Sequence, residues 1–297
     1  LSPDKFILSY CDRALGITSA EEQPVLPKGN NLSLHLLELF TSRVAKVGMT
    51  DGIRQVLQEE SDALRAYYEQ AGILIARPAG GTSCRLAISA KGGTNAENHN
   101  HNDVGSYAVA LGSETMVGDQ GGPNSYPGDY FNGDAPQKYK IKGSFGHPVP
   151  VVDGRTQSSG GKAKGVVLQK EFTNEKDVFS IDYTSAYSTP NLDKLIRTFV
   201  YDRQGEGNFT VGDEFTAKTP IRFETAITTR ADWKILDDTH LLLATDSEQM
   251  IVAIEASGKV AFTSETIEVN SPAYTRIGIA LKNQSKEGYI RLKMYTK

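Results

Sequence analysis

IRTFVYD (196–202), RFETAITT (222–229), HLLLATD (240–246), MIVAIEA (250–256), AFTSETIEV (261–269), TRIGIALK (275–282) and GYIRLKMYT (288–296) follow one another through the last third of the chain, with turn signals between them. Runs rich in β-branched and aromatic residues and bounded in this way read as strands. So many strands with so few helices between them indicate a large antiparallel β-sandwich. The same texture begins at residue 73. ILIARPA (73–79) and SCRLAISAKG (83–92) are short strand-like runs. VGSYAVALGSETMVGD (104–119) reads as a hairpin turning at Gly112-Ser113, and GVVLQKEFTNEKDVFSIDYTSAY (165–187) as another turning near Asn174.

Upstream of residue 73 the pattern is helical, so the expected division is a helical segment over 1–72 and a sandwich domain over 73–297. SLHLLELFTSRVAKVG (33–48) sets Leu34, Leu37, Phe40 and Val44 at helical spacing behind a Ser33 cap. TDGIRQVLQEESDALRAYYEQAG (50–72) carries Ile53, Val56, Leu57, Leu64 and Tyr67 on one side and predicts a helix ending at Gly72. A shorter helix is expected over 4–14. The chain opens on Leu1 rather than Met and shows no signal peptide, which reads as a processed product or a piece of something longer.

The bulk composition is ordinary for a globular protein: 297 residues, 39% hydrophobic and 23% charged. A formal net charge of −4 argues against nucleic acid as a partner. No apolar run approaches the roughly 18 residues of a membrane-spanning helix. Cys11 and Cys84 are too few for a disulfide framework or a cysteine zinc site.

Chemistry concentrates in NHNHNDVGS (98–106). If this stretch is an extended strand, His99, His101 and Asp103 share one face while Asn100 and Asn102 turn away. That arrangement suits a metal site, a proton-transfer site or one of each; histidines bonded to neighbouring carbonyls are the plain structural alternative. Asp119 ends the following hairpin. His147 ends a long loop, 121–148, rich in Gly, Pro, Asn and Tyr and poor in aliphatics, and loops of that length are usually functional or disordered. Zinc accepts imidazole and carboxylate ligands, and His101, Asp119 and His147 can supply three from separate segments. Calcium prefers all-oxygen cages and fits less well. His35 and His240 have no clustered partners and read as structural.

Two enzyme patterns compete for the cluster. The cupin pattern of glycine, five residues, then His-x-His is met by Gly93, His99 and His101, but Gly105 and Ser106 fill the window where its glutamate belongs. The closer match is to the heparinase II/III family of polysaccharide lyases. GILIAR (72–77), NHNHNDVGSYAVALGSETMVGDQGG (98–122) and GSFGHPVPVVDG (143–154) resemble it, and the resemblance fades after about residue 215. It implies the last helices of an incomplete (α/α) toroid followed by an antiparallel sandwich. His99 would match a catalytic histidine, His101, Asp119 and His147 the ligands of a divalent metal, most simply zinc, and Tyr130 an active-site tyrosine. Asp103 matches the motif without an assigned chemistry, and orienting a histidine by a hydrogen bond is its expected role. The implied partner is an acidic polysaccharide, the implied reaction β-elimination at a uronic acid, and the implied location secreted or periplasmic. The family's carboxylate-binding asparagine and toroid tyrosine have no counterpart here, so the isolated chain is expected to have little activity. A non-catalytic carbohydrate-binding sandwich is the alternative.

Overall fold

Leu86, Ile88 and Ala90 of one strand and Tyr107, Val109 and Leu111 of the next are buried, while the residues between them are partly exposed. This period of two assembles a five-stranded sheet with one face on the core. The computed structural model describes residues 64–297 apart from 120, 121, 124 and 269–272. In the first sheet β1 (Arg65–Tyr68), β2 (Ile73–Ala76), β3 (Leu86–Lys91), β5 (Tyr107–Leu111) and β6 (Glu114–Val117) pair in that order; β4 is Thr94–Asn95. A four-stranded sheet runs β17 (Val260–Ile267), β18 (Tyr274–Leu281), β13 (Phe223–Thr229), β7 (Val151–Val152). Gly118 N–H donates to the Thr228 carbonyl at 3.0 Å, and the Thr229 hydroxyl to that of Met116 at 2.7 Å, joining β6 to β13.

Across the core lies an eight-stranded sheet, ordered β14 (Asp232–Asp237), β15 (His240–Ala244), β16 (Gln249–Ala256), β19 (Ser285–Thr296), β12 (Asn208–Ile221), β11 (Leu192–Asp202), β10 (Lys176–Asp182), β9 (Val166–Phe172). The remaining strand, β8 (Gly160–Lys164), pairs with β4. Every named pairing is antiparallel, as the short turns between successive strands require. Side chains from all three larger sheets belong to one apolar cluster, including Leu86, Val109, Phe199, Phe209, Ile277 and Leu292. Tyr107 packs across the layers at 6.2 Å from Phe199 and 6.0 Å from Phe209. Each such ring contributes about 1.5–3 kcal/mol by leaving water. The mainly β, antiparallel sandwich expected from the sequence is the observed fold.

Two local expectations are corrected. The helix predicted to run to Gly72 is instead a strand from Arg65, paired with β2 from Arg65↔Ala76 to Tyr68↔Ile73. Tyr67 contacts Phe172 and Phe179 at 5.5 and 5.8 Å, a tertiary environment that outweighs the helical spacing. Gly72, at φ 61°, closes the hairpin rather than a helix, where a Cβ would meet the Gly93 nitrogen at 2.9 Å. The sandwich unit accordingly runs from Leu64 to Lys297, beginning before the expected boundary after residue 72. The second correction is that residues 98–106 are a loop between β4 and β5, not a strand. The helices expected over 4–14, 33–48 and 50–63, and with them the toroid, lie outside the described residues.

Candidate functional site

The loop 98–106 is shaped by buried amides. Asn95 Nδ2 donates to Gln157 Oε1 at 3.0 Å, and Asn95 Oδ1 accepts the Asp103 N–H at 3.1 Å. Gln157 also clamps both backbone groups of Val104, at 3.1 and 2.7 Å. Asn102, 2% exposed, donates to the Gln157 carbonyl at 3.3 Å, and its N–H donates to the Lys142 carbonyl at 2.9 Å. These bonds replace a strand ladder, so the alternation expected for His99, His101 and Asp103 does not apply. His99 sits at φ 58°, a left-handed conformation rare outside glycine and asparagine.

Arg197 ties this loop to the one carrying His147. Its Nη1 donates to the carbonyls of Gly105 and Pro148, each at 2.7 Å. Its Nε and Nη2 grip both oxygens of Asp213 at 2.7 and 2.6 Å. The guanidinium is fully buried and lies over the rings of Tyr107 and Tyr183. His147 thereby stands one residue from a clamp that also holds the loop after His101.

His101, Asp119 and His147 come together from three segments, each offering one ligand atom, all within 4.8 Å of one another. His147 Nε2–H donates to the Ile141 carbonyl at 3.0 Å, which leaves Nδ1 facing Asp119 Oδ2 at 3.0 Å. A lone pair pointed at a carboxylate oxygen is repulsive unless a proton or a cation stands between them. Burial opposes charge on His147, but Asp119 prevails and raises its pKa. His101 goes the other way, pushed down to about 4 by burial and by the neighbouring His147. Asp119 thus favours a proton or a cation at His147, whereas His101 favours its neutral form. Two neutral imidazoles, a carboxylate and a second imidazole nitrogen anchored on a backbone carbonyl are what a tetrahedral zinc site needs, with one position left open. The residues fit the metal that the sequence resemblance implies.

The other expected residues fall around this cluster. Tyr130 is 1% exposed and its hydroxyl lies 3.0 Å from His101 Nε2. Burial first, then Tyr126 and Asp119, push it up to about 12, so it is a neutral phenol that holds the His101 ring. The tyrosine that the resemblance places in the active site lies beneath the cluster, in contact with His101. Asp103 accepts from Lys91 Nζ at 2.7 Å rather than from a histidine, and this contact, with Glu97, holds Lys91 charged against its burial. His99 is not among the grouped ligands, as the cupin pattern requires it to be. It stands exposed on an open cleft of about 350 Å³, lined also by His101, Asp119, Asn98, Tyr126 and Phe131. Asn95, Gln157 and Arg197 were not anticipated, and nothing in their local sequence marks them.

Neither a family model nor a curated protein sequence matches the chain. Solved structures do. The architecture is the one found in lyases of the heparinase kind. Heparan sulfate lyase HepC from Pedobacter heparinus superposes over 99% of this chain and 48% of its own length, with a TM-score of 0.67 and 13% identity. Heparinase III superposes over 78% of this chain and 36% of its own, with a TM-score of 0.62 and 17% identity. The chain thus spans less than half the length of these structures, and at such identities the likeness is one of fold.

Proposed function

We propose that this chain forms the sandwich side of a polysaccharide lyase that cleaves a uronic-acid-containing polymer by β-elimination. The observation that carries this reading is the convergence of His101, Asp119 and His147 within 4.8 Å beside a cleft on which His99 is exposed. The C5 proton of a uronate lies α to a carboxylate and is poorly acidic until that group is neutralised or hydrogen-bonded. His99 transfers the proton at that carbon. The imidazole takes up that proton, and the electron pair left behind forms the C4–C5 double bond as the C4–O bond breaks. The departing glycosidic oxygen takes a proton from solvent, to which the imidazolium then returns its own. Imidazole suits this task because its ordinary pKa lies near neutrality.

His101, Asp119 and His147 would hold a divalent metal, zinc by the donor set, whose charge would link the loop of His101, the segment after β6 and the loop of His147. Tyr130 holds His101 and the Ile141 carbonyl holds His147, so the ligands are oriented in advance. His99 then inherits its position from His101, two residues away. A polymer of this class is too large to cross a membrane, which supports a secreted or periplasmic location; no helix among the described residues is long and apolar enough to span a bilayer.

The test is His99→Ala in the full-length protein, assayed by ultraviolet absorbance of the conjugated unsaturated uronate. Turnover is expected to fall by roughly 10²–10⁴ with an unchanged melting curve. Undiminished turnover would leave the carbohydrate-binding alternative in its place.

A further inference from the structure

Proton transfer and metal binding leave one feature of the cleft unused. Tyr126 and Phe131 are 56% and 50% exposed, yet they stand side by side with ring centroids 5.2 Å apart. Both rest on the buried Tyr130, at 5.0 and 5.4 Å. Phe131 also lies 4.8 Å from the His99 ring. The two exposed rings are inclined at 45°, so they make a shallow trough rather than a flat shelf. Large apolar side chains held in place and left facing water forgo the gain of burial, and clusters of this kind mark binding surfaces.

The charge beneath the trough is specific. Lys142 is 7% exposed, donates to the Tyr130 carbonyl and stands 4.8 and 4.9 Å from the ring centres of Tyr130 and Phe131. Among the described residues it is bonded to no carboxylate. Burial lowers its pKa, and Glu97, Asp103 and Asp119 line the same cleft, so Lys142 acts at short range on the two rings it underlies.

We propose that Tyr126 and Phe131 form a stacking subsite for a pyranose ring bearing an anionic group, the sugar adjoining the one presented to His99. The proposal rests on the lyase reading and names a recognition element within it. The C–H bonds on one face of a pyranose carry partial positive charge and lie against the negative faces of the two rings, while its hydroxyls stay hydrated. The puckered ring matches the inclined pair. Phe131 touches both the catalytic imidazole and the bound sugar, so it sets the register of the polymer.

Isothermal titration of the full chain with size-defined heparan sulfate and alginate oligosaccharides tests this. Tyr126→Ala and Phe131→Ala are each expected to weaken binding about tenfold without lowering the melting temperature. Phe131→Tyr, which keeps the ring face, retains affinity; Phe131→Leu, which keeps only apolar bulk, weakens it as alanine does. Comparable affinity for both polymers assigns the anionic group as carboxylate, and affinity for heparan sulfate alone assigns it as sulfate. Unchanged binding in both alanine variants, or full affinity in Phe131→Leu, overturns the subsite and leaves the lyase reading standing. Failure of the unaltered chain to bind either oligosaccharide overturns the subsite.

Discussion

Arg197 and His147 are both buried and both belong to polar clusters, but their hydrogen bonding is opposite in kind. Each of the five guanidinium N–H groups of Arg197 has an acceptor, counting Asp213 twice, Gly105, Pro148 and Thr225. His147 spends one nitrogen on a carbonyl and aims the other at a carboxylate oxygen that is itself an acceptor. The side chain of Asp119 is 32% exposed on the cleft, whereas that of Asp213 is 1% exposed. A closed network holds the fold; the other faces the cleft with its carboxylate partly exposed. The first serves the second, since the Arg197 clamp spans the two loops that carry the histidines.

The comparison can be broken first at its closed end. Arg197→Met leaves the buried Asp213 carboxylate with the hydroxyls of Tyr183 and Thr225 but no counter-charge, and takes the shared donor from the Gly105 and Pro148 carbonyls. It is expected to cost about 3–5 kcal/mol by urea unfolding and to abolish metal binding as well. Metal binding in a folded Arg197→Met variant, with affinity intact, would mean that the clamp does not position the site.

At the open end, zinc at about a hundredfold excess over its Kd should stabilise the chain by about 2.7 kcal/mol, and Asp119→Asn should remove that gain. The gain should depend on pH in a defined direction. In the metal-free protein Asp119 raises the pKa of His147, so the stability from that proton is present below about pH 6.5 and is lost as pH rises through the raised value. Zinc takes the proton's place, and its stabilising effect should therefore grow from about pH 6 to about pH 8 in parallel melting curves. A zinc effect independent of pH would show that His147 is not a ligand.

Smaller effects sharpen the contrast. Tyr130→Phe removes only the hydroxyl that holds His101, and about tenfold weaker zinc binding is expected by competition with a chelating dye. The smallest change is expected at His99. Asparagine tolerates the left-handed backbone better than histidine, so His99→Asn should be neutral or stabilising by under about 1 kcal/mol while turnover is lost. A marked loss of stability would make His99 a structural residue.

Legibility in the sequence followed the range of the interactions. The hairpins at Gly112-Ser113 and near Asn174 were readable because a strand's pattern and its turn are local. His101, Asp119 and His147 were readable as a set because histidine is scarce in this chain and imidazole and carboxylate are chemically matched. The conformation around them was not. A strand through 98–106 satisfied every local rule, yet Gln157 and Asn95 turn it into a loop. The helix signal over 50–72 failed at Tyr67 in the same way, where Phe172 and Phe179 supply a packing surface from more than a hundred positions away.

By itself, then, the order of residues determined that β-structure dominates and where most strands turn, and it marked His101, Asp119 and His147 as a set that the fold brings together. Only the tertiary structure decided that Tyr130 lies beneath the cluster, that Asp103 pairs with Lys91, and that His99 is exposed on the cleft beside Phe131. The reason is physical: pattern and propensity act over a few residues, whereas a buried polar group takes whatever partner the packed layers bring within 3 Å, and that partner can come from anywhere in the chain.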